Sequence, residues 1–362
     1  SLFTLCFSIF ILDIFNLITS LSSETKISYS SKIKSYQDKE TGLFSLSRYQ
    51  QPLIDKTTFQ LTSFCLSALK ILESKPSFPL KIISKFNTPG KIKNYLDSFG
   101  TNVGLPGSGN MAMFIAIFLT FELERTNRSD YKKLIDYWFE YHDSNQNKNS
   151  GFWGKSWGKH DFKPYYFAFQ NAYHQFEIYN YFNREIPNID KVIDILISIQ
   201  GSHGSFSPGL KGGYGSCWDY DAASILASSI KNNVDYRTND VINSLNNLRF
   251  FILSKQNVDG GFPQINSNDL FVNYSQIVPH IVGGGFKPLL WFERLFLIFS
   301  RGLKNIRNDQ KVQTVWAKTP RKITESNLWD SWFSLLTIAI IDRTLNKFDK
   351  YNFHDCIGIG YF

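Results

Sequence analysis

Four stretches of this 362-residue chain gather side chains that can move protons or hold a ligand. The densest reads Gly212-Gly-Tyr214-Gly-Ser-Cys217-Trp218-Asp219-Tyr-Asp221-Ala222-Ala223, with two carboxylates and a thiol within five residues. A carboxyl group so placed could act as an acid. Helix architecture alone also accounts for both acids, with Asp219 as N-cap and Asp221 as a first-turn carboxylate favoured by the helix dipole. The second stretch is Gln170-Asn171-Ala-Tyr173-His174-Gln175. Asn171 and His174 are three apart and share a helical face, so they could contact a substrate or act as a general-base pair; a hydrogen-bonded histidine in a polar inner surface is the plainer reading. The third is Ser326-Asn327-Leu-Trp329-Asp330-Ser-Trp332-Phe333. Here Ser326 or Asn327 is a natural N-cap and Asp330 a first-turn acid. Trp329 and Trp332 share a face that could line a cavity or stack on a sugar ring. The fourth runs from Asn273 through Pro279 and His280 to Gly283-Gly-Gly285. Pro279 and the glycine triplet argue for a loop or kinked helix bordering a cavity. No Lys-Ser/Thr follows the triplet, so it is not a phosphate loop.

These residues are positioned by a repeat. A glutamine, a few residues, then glycine, one residue and an aromatic recur as Gln37–Gly42–Phe44, Gln146–Gly151–Trp153, Gln200–Gly204–Phe206 and Gln256–Gly260–Phe262. The glycines are 109, 53 and 56 residues apart, which fits a period of about 54 with one turn lacking the phrase. Between the turns, 58–72, 110–123, 169–182, 218–230, 288–299 and 327–341 are apolar nearly all round, as buried helices are. They alternate with more amphipathic segments at 30–37, 80–99, 131–142, 189–200 and 239–256, as an outer layer requires. Strands are nearly absent. The pattern predicts an all-α fold, an (α/α)6 toroid of concentric inner and outer helices over residues 1–362, with a straight solenoid as the other arrangement. In the repeated phrase the glutamine amide is expected to bond free groups at the adjoining helix ends, the glycine to permit a left-handed turn, and the aromatic to fill the gap between repeats.

Composition bounds the function. Hydrophobic residues make up 43% and charged residues 19%, the balance of a globular chain. The net charge of +8 comes from scattered lysines such as Lys32, Lys81 and Lys304, which argues against a nucleic-acid partner and leaves peripheral contact with an anionic membrane as an expectation. Aromatics reach 16%, through codon bias or an aromatic-lined cavity. Cys6, Cys65, Cys217 and Cys356 form no Cys-x-x-Cys pair, so the expectation is a reducing, cytoplasmic setting. The apolar start, Ser1 to Leu12, is too short for a membrane span; residues 1–25 are read as a packed helix in a chain trimmed at its N-terminus.

The phrase, and its longer form Arg249-x-Phe251-Ile252-x-x-x-Gln256-x-x-x-Gly260-x-Phe262, resembles the repeat motif of squalene and oxidosqualene cyclases, with Phe for Trp. The resemblance covers most of the chain and implies the α/α-toroid superfamily of terpenoid cyclases and protein prenyltransferases, whose ring hosts unrelated chemistries. In such a ring the loops that enter the inner helices open onto a central cavity. Asp219-Tyr-Asp221-Ala222-Ala223 is similar to the Asp-x-Asp-Asp-Thr-Ala segment of class II terpene cyclases, which implies Asp221 as an acid that protonates an alkene or epoxide, with aromatic walls stabilising cations. Ala222 and Ala223 stand where that family has Asp and Thr. Prenyltransferase β subunits hold zinc with Asp-x-Cys and a distant His; here Cys217-x-Asp219 reverses that order and His280 supplies the imidazole, so zinc is the one cofactor implied. Toroid polysaccharide lyases use an Asn, a His and a Tyr on a uronate, and Asn171, His174 and Tyr173 or Tyr214 match by type.

No G-x-S-x-G elbow, His-Glu-x-x-His, Walker A or dinucleotide fingerprint occurs. The leading expectation is a terpenoid-cyclase- or prenyltransferase-like protein that takes an apolar or isoprenoid ligand into a central cavity. Asp221 is the expected acid, with Asp219, His174, Asn171 and Asp330 as further catalytic candidates. Tyr173, Tyr214, Trp218, Asn327, Trp329 and Trp332 are the ligand-binding candidates, and Cys217, Asp219 and His280 the metal set. The alternatives are a glycan lyase or hydrolase using Asn171 and His174, and a non-catalytic scaffold of the same fold.

Overall fold

The structure is a computed structural model. It describes residues 1–47, 51–105, 107–154, 169, 173–207, 215–265, 274–282, 286–300, 311–317 and 319–362. In chain order its helices are α1 (Leu2–Ile14), α2 (Ser23–Lys34), α3 (Lys56–Ile71), α4 (Pro89–Ser98), α5 (Ser108–Thr126), α6 (Ser129–Asn145), α7 (His174–Tyr181), α8 (Ile189–Ile199), α9 (Ser216–Lys231), α10 (Thr238–Ser254), α11 (Tyr274–Val282), α12 (Pro288–Ser300) and α13 (Leu328–Thr344). Two-residue strands β1 (Lys311–Val312) and β2 (Arg321–Lys322) pair antiparallel, Lys311 opposite Lys322.

Six helices close a ring. α1 packs on α3, α3 on α5, α5 on α7, α7 on α9, α9 on α13, and α13 back on α1. Apolar residues cover nearly every face of these helices, so each buries its sides against neighbours and its back against an outer helix. In α5 the run from Ser108 to Thr120 is buried without interruption. The more amphipathic α2, α4, α6, α8 and α10 stand behind them, as with Trp138 of α6, whose indole donates to Ala112 O of α5 at 2.9 Å. Caps fix several starts: Asp55 accepts from Thr58 N ahead of α3, and Asn327 from Asp330 N ahead of α13.

Two expectations are corrected. The sixth ring position belongs to α1, not to the apolar 288–299 segment. α12 lies outside the ring against α11, with Phe292, Phe296 and Phe299 exposed. Average apolarity cannot tell which helix the ring accepts; α1 qualifies because Phe3, Phe7 and Phe10 fit between α3 and α13 and stack with Phe64 and Trp332. Of the loop or kinked helix expected around Pro279, the helix is found, since α11 runs through Pro279; but α11 packs on α12, and none of its described residues lines the cavity described below.

The four turns share one construction. Each glutamine Nε2 donates to the carbonyl of its own glycine: Gln37 to Gly42, Gln146 to Gly151, Gln200 to Gly204 and Gln256 to Gly260, at 2.7–2.9 Å. The first three also donate to the next outer element, at Phe78 O, Pro187 O and Ser244 O. The amide thus links repeat to repeat through carbonyls, where the sequence suggested helix-end groups. The glycines take φ of +78°, +69°, +102° and +81°. A Cβ on Gly204 would meet Asn247 O at 2.5 Å, whereas one on Gly260 meets nothing within 4 Å. Among the described residues no outer helix stands against the fourth turn, and the repeated phrase does not recur after it. The ends of the 263–327 stretch return together, with Ile265 N donating to Ile323 O and Phe262 N to Ser331 Oγ of α13.

The chain after α13 crosses beneath the ring. Asn352 N donates to Ile14 O, Gly360 N to the Tyr220 hydroxyl, and Lys231 sits over the Phe362 ring. The C-terminal ends of α1, α9 and α13 meet this segment through Ile14, Lys231 and Arg343, while Gly360 reaches up to Tyr220 near the start of α9.

Candidate functional site

The opposite rim carries a cavity. Lys56, Asn110, His174, Cys217 and Trp329, each in the first turn of α3, α5, α7, α9 or α13, face one cavity of ≈ 390 Å³. Its volume falls in the range of small-molecule sites. Tyr173, Trp316, Trp329 and Phe333 give it aromatic walls, and Ile359 of the C-terminal segment reaches it from below. Trp316, from the excursion between β1 and β2, stacks on Trp329 at 4.1 Å and 5° and so covers part of the mouth.

Beside this cavity lies a buried polar cluster. His174 and Glu177 are three apart on α7 and share a face; Asp221 projects from α9. One ligand-type atom from each lies within 4.8 Å of the others, and all three residues are at most 5% exposed. His174 Nδ1 and Asp221 Oδ1 are 4.0 Å apart, too far for a hydrogen bond. His174 Nδ1 and all four carboxylate oxygens have no hydrogen-bond partner among the described residues. The Tyr220 hydroxyl accepts from Gly360 N and stands beside Glu177, whose charged form it favours.

Burial sets the protonation states. It pushes Glu177 up to about 8, against a smaller opposing pull from Tyr220. Asp221 is pushed well above the carboxylate range by burial, then by Glu177, while Lys56 pulls the other way. His174 is pushed well below its ordinary value by burial and by Lys56. Lys56 itself is lowered by burial, with Cys217 and Asp221 opposing. Burial thus favours the protonated form of both acids and the neutral form of the imidazole.

The sequence candidates separate. His174 and Asp221 come together, and Tyr173, Cys217 and Trp329 line the cavity with His174. Asp221 does not line it; it sits behind His174. Asp219 points elsewhere. Its Oδ1 accepts from Ser205 Oγ at 2.7 Å and Phe206 N at 2.8 Å, which anchors the third turn. Ser331 of α13 accepts from Phe262 N in the same manner, and Thr62 of α3 from Phe44 N. Asp219 thus does a repeat-wide scaffold task. With Asp219 turned to that anchor and Cys217 to the cavity, the two do not converge, so the expected zinc set does not fit; the His280 side chain lies outside the described residues. Asp330 accepts from Ser216 N and Oγ, Arg321 and Asn327, and ties α13 to α9. Asn327 is the N-cap of α13. Trp332 is fully buried among Phe7, Phe10 and Phe64. Trp218 packs edge-on against Phe169. Asn171 and Tyr214 lie outside the described residues. Sequence reasoning missed Glu177 and Lys56. Glu177 carried a signal, an acid three residues after His174 on an otherwise apolar inner segment.

A closed ring of inner helices, outer helices behind them and a cavity at one mouth define an α/α toroid. Residues 1–99 and 93–270 match the family model of the prenyltransferase alpha-alpha toroid domain, and the chain belongs to that family. No curated protein and no solved structure matches it. Among the described residues no helix is long and apolar enough to cross a membrane.

Proposed function

We propose that this toroid binds an apolar, isoprenoid-type ligand in its central cavity, with Asp221 as the acid and His174 as the group between acid and ligand. The observation that carries the reading is the juxtaposition of an aromatic-walled cavity with a water-shielded carboxyl whose protonated form burial favours. Aromatic faces favour both an apolar chain and any positive charge that develops on it. Once the 4.0 Å gap to His174 Nδ1 closes on ligand binding, Asp221 can pass its proton to that nitrogen as the other ring nitrogen donates toward the cavity. This leaves Asp221 as carboxylate, with Lys56 as countercharge. Because no donor stabilises that carboxylate directly, Asp221 suits transfer to an oxygen or another moderate base better than protonation of an isolated alkene.

The test has two arms. Polyprenyl alcohols and diphosphates should raise the melting temperature where mono- and oligosaccharides do not. Incubation with the same polyprenyl compounds should give product that Asp221→Asn abolishes without loss of binding. Stabilisation by sugars alone would move the reading to the glycan class, and turnover surviving Asp221→Asn would remove the acid assignment.

A further inference from the structure

The structure assigns His174, Glu177 and Asp221 as a binding site for one divalent transition-metal ion. Three facts carry it. The donors are one imidazole nitrogen and two carboxylates, a set that zinc, manganese, iron(II) and cobalt accept. They come from adjacent ring helices, and two share one face through i, i+3 spacing, the arrangement by which helical proteins direct a Glu and a His at a common ion. Their donor atoms are buried and, among the described residues, without a hydrogen-bond partner.

The last fact decides between an ion and protons alone. Buried polar groups in folded proteins find partners. Protonating both acids removes their charge but leaves the carboxyl oxygens and His174 Nδ1 unpartnered. A divalent ion held by two carboxylates and a neutral imidazole is electrically balanced and satisfies all three side chains at once. Ligands at ~2.1 Å from a tetrahedral ion stand ~3.4 Å apart, so the side chains need move inward by only about an ångström. Three protein ligands leave a coordination position free, and His174 borders the cavity.

This goes beyond the function proposed above and competes with it for Asp221, so its test reads metal binding alone and keeps the two outcomes distinguishable. With the ion bound, Asp221 is a ligand and no longer an acid, so ion and proton exclude each other. The full chain, stripped with chelator, is titrated with Zn²⁺ and separately with Co²⁺, with no isoprenoid present. Calorimetry and metal analysis should give one ion per chain, and Co²⁺ an absorption of low-coordinate type. Glu177→Gln and Asp221→Asn, whose folding is checked by circular dichroism, should each weaken binding by at least ~10-fold. Cys217→Ser and His280→Ala should leave it unchanged. Absence of stoichiometric binding by the wild type overturns the site. So does binding that persists in the Glu177→Gln/Asp221→Asn double variant or that is lost in Cys217→Ser.

Discussion

Replacing Glu177 by Gln should change how stability depends on pH, and the size of the change follows from burial. An unfolded glutamate ionises near 4.5, whereas Glu177 in the ring holds its proton to about 8. Between those values the folded chain binds a proton that the unfolded chain has released, so stability falls as pH rises. Below the lower value both states are protonated and the effect is absent; above the upper value it is complete. A window of ~3.5 pH units at about 1.4 kcal/mol each gives about 5 kcal/mol, a large part of an ordinary domain's stability. Glutamine cannot ionise, so Glu177→Gln loses this slope. Whatever else the amide costs is independent of pH and drops out of the slope. Asp221 reinforces the trend, since the Glu177 charge is one of the influences that raises it. Urea denaturation of both proteins in chelator near pH 5, 6 and 7 should show the variant gaining on the wild type by about 1.4 kcal/mol per pH unit. Parallel pH profiles would mean that Glu177 is solvated or already paired, and the account of the cluster would fail.

The turns give two further tests. Gly204→Ala meets both a left-handed backbone and the Asn247 carbonyl, whereas Gly260→Ala meets only the backbone term; the first should cost about 2–4 kcal/mol by urea unfolding and the second about 1, and equal losses would refute the role given to the neighbouring outer helix. Asp219→Ala removes the acceptor for Ser205 and Phe206 and should cost about 2–3 kcal/mol, while Asp219→Ser, which copies Ser331, should recover part of it; no difference between the two would show that the anchor is not the role of this side chain.

The ring was legible because its causes are local and repeated. Apolar periodicity marks helices that bury every face, and the glutamine–glycine–aromatic phrase marks where each pair joins. The 109-residue gap correctly pointed to a turn without the phrase: α4 meets α5 through a loop that starts at Phe99 and carries no glutamine. The sixth ring helix was misjudged because closure depends on shape. The three phenylalanines of α1 fill a slot between α3 and α13 that no sequence window shows. Asp221 and His174 stand out in the sequence by their types and their places at helix starts, and the structure brings the two side chains together. Their separation from Asp219 does not stand out, since residues two apart on a helix point apart and only the turn geometry shows which of them the scaffold uses. Glu177 went unnoticed as one acid within an apolar helix, a pattern that acquires meaning only when the facing helix brings Asp221 against it.

The repeat also shows which acids the fold does not need. Thr62, Asp219 and Ser331 hold the same anchoring place in α3, α9 and α13, each accepting from the backbone of a turn aromatic. Two residues further on stand Phe64, Asp221 and Phe333, all buried. In two of the three helices the scaffold fills that place with a phenyl ring. In α9 it holds a carboxyl that makes no hydrogen bond and faces a second buried acid and an imidazole. A structural requirement that phenylalanine satisfies in the sister repeats cannot be the reason for an unpartnered acid in this one. Breaks with a local rule that carry no packing gain collect at functional sites. The same comparison assigns Asp219 to the frame and leaves Asp221 as the acid that the frame does not need, though only one residue separates the two in the chain.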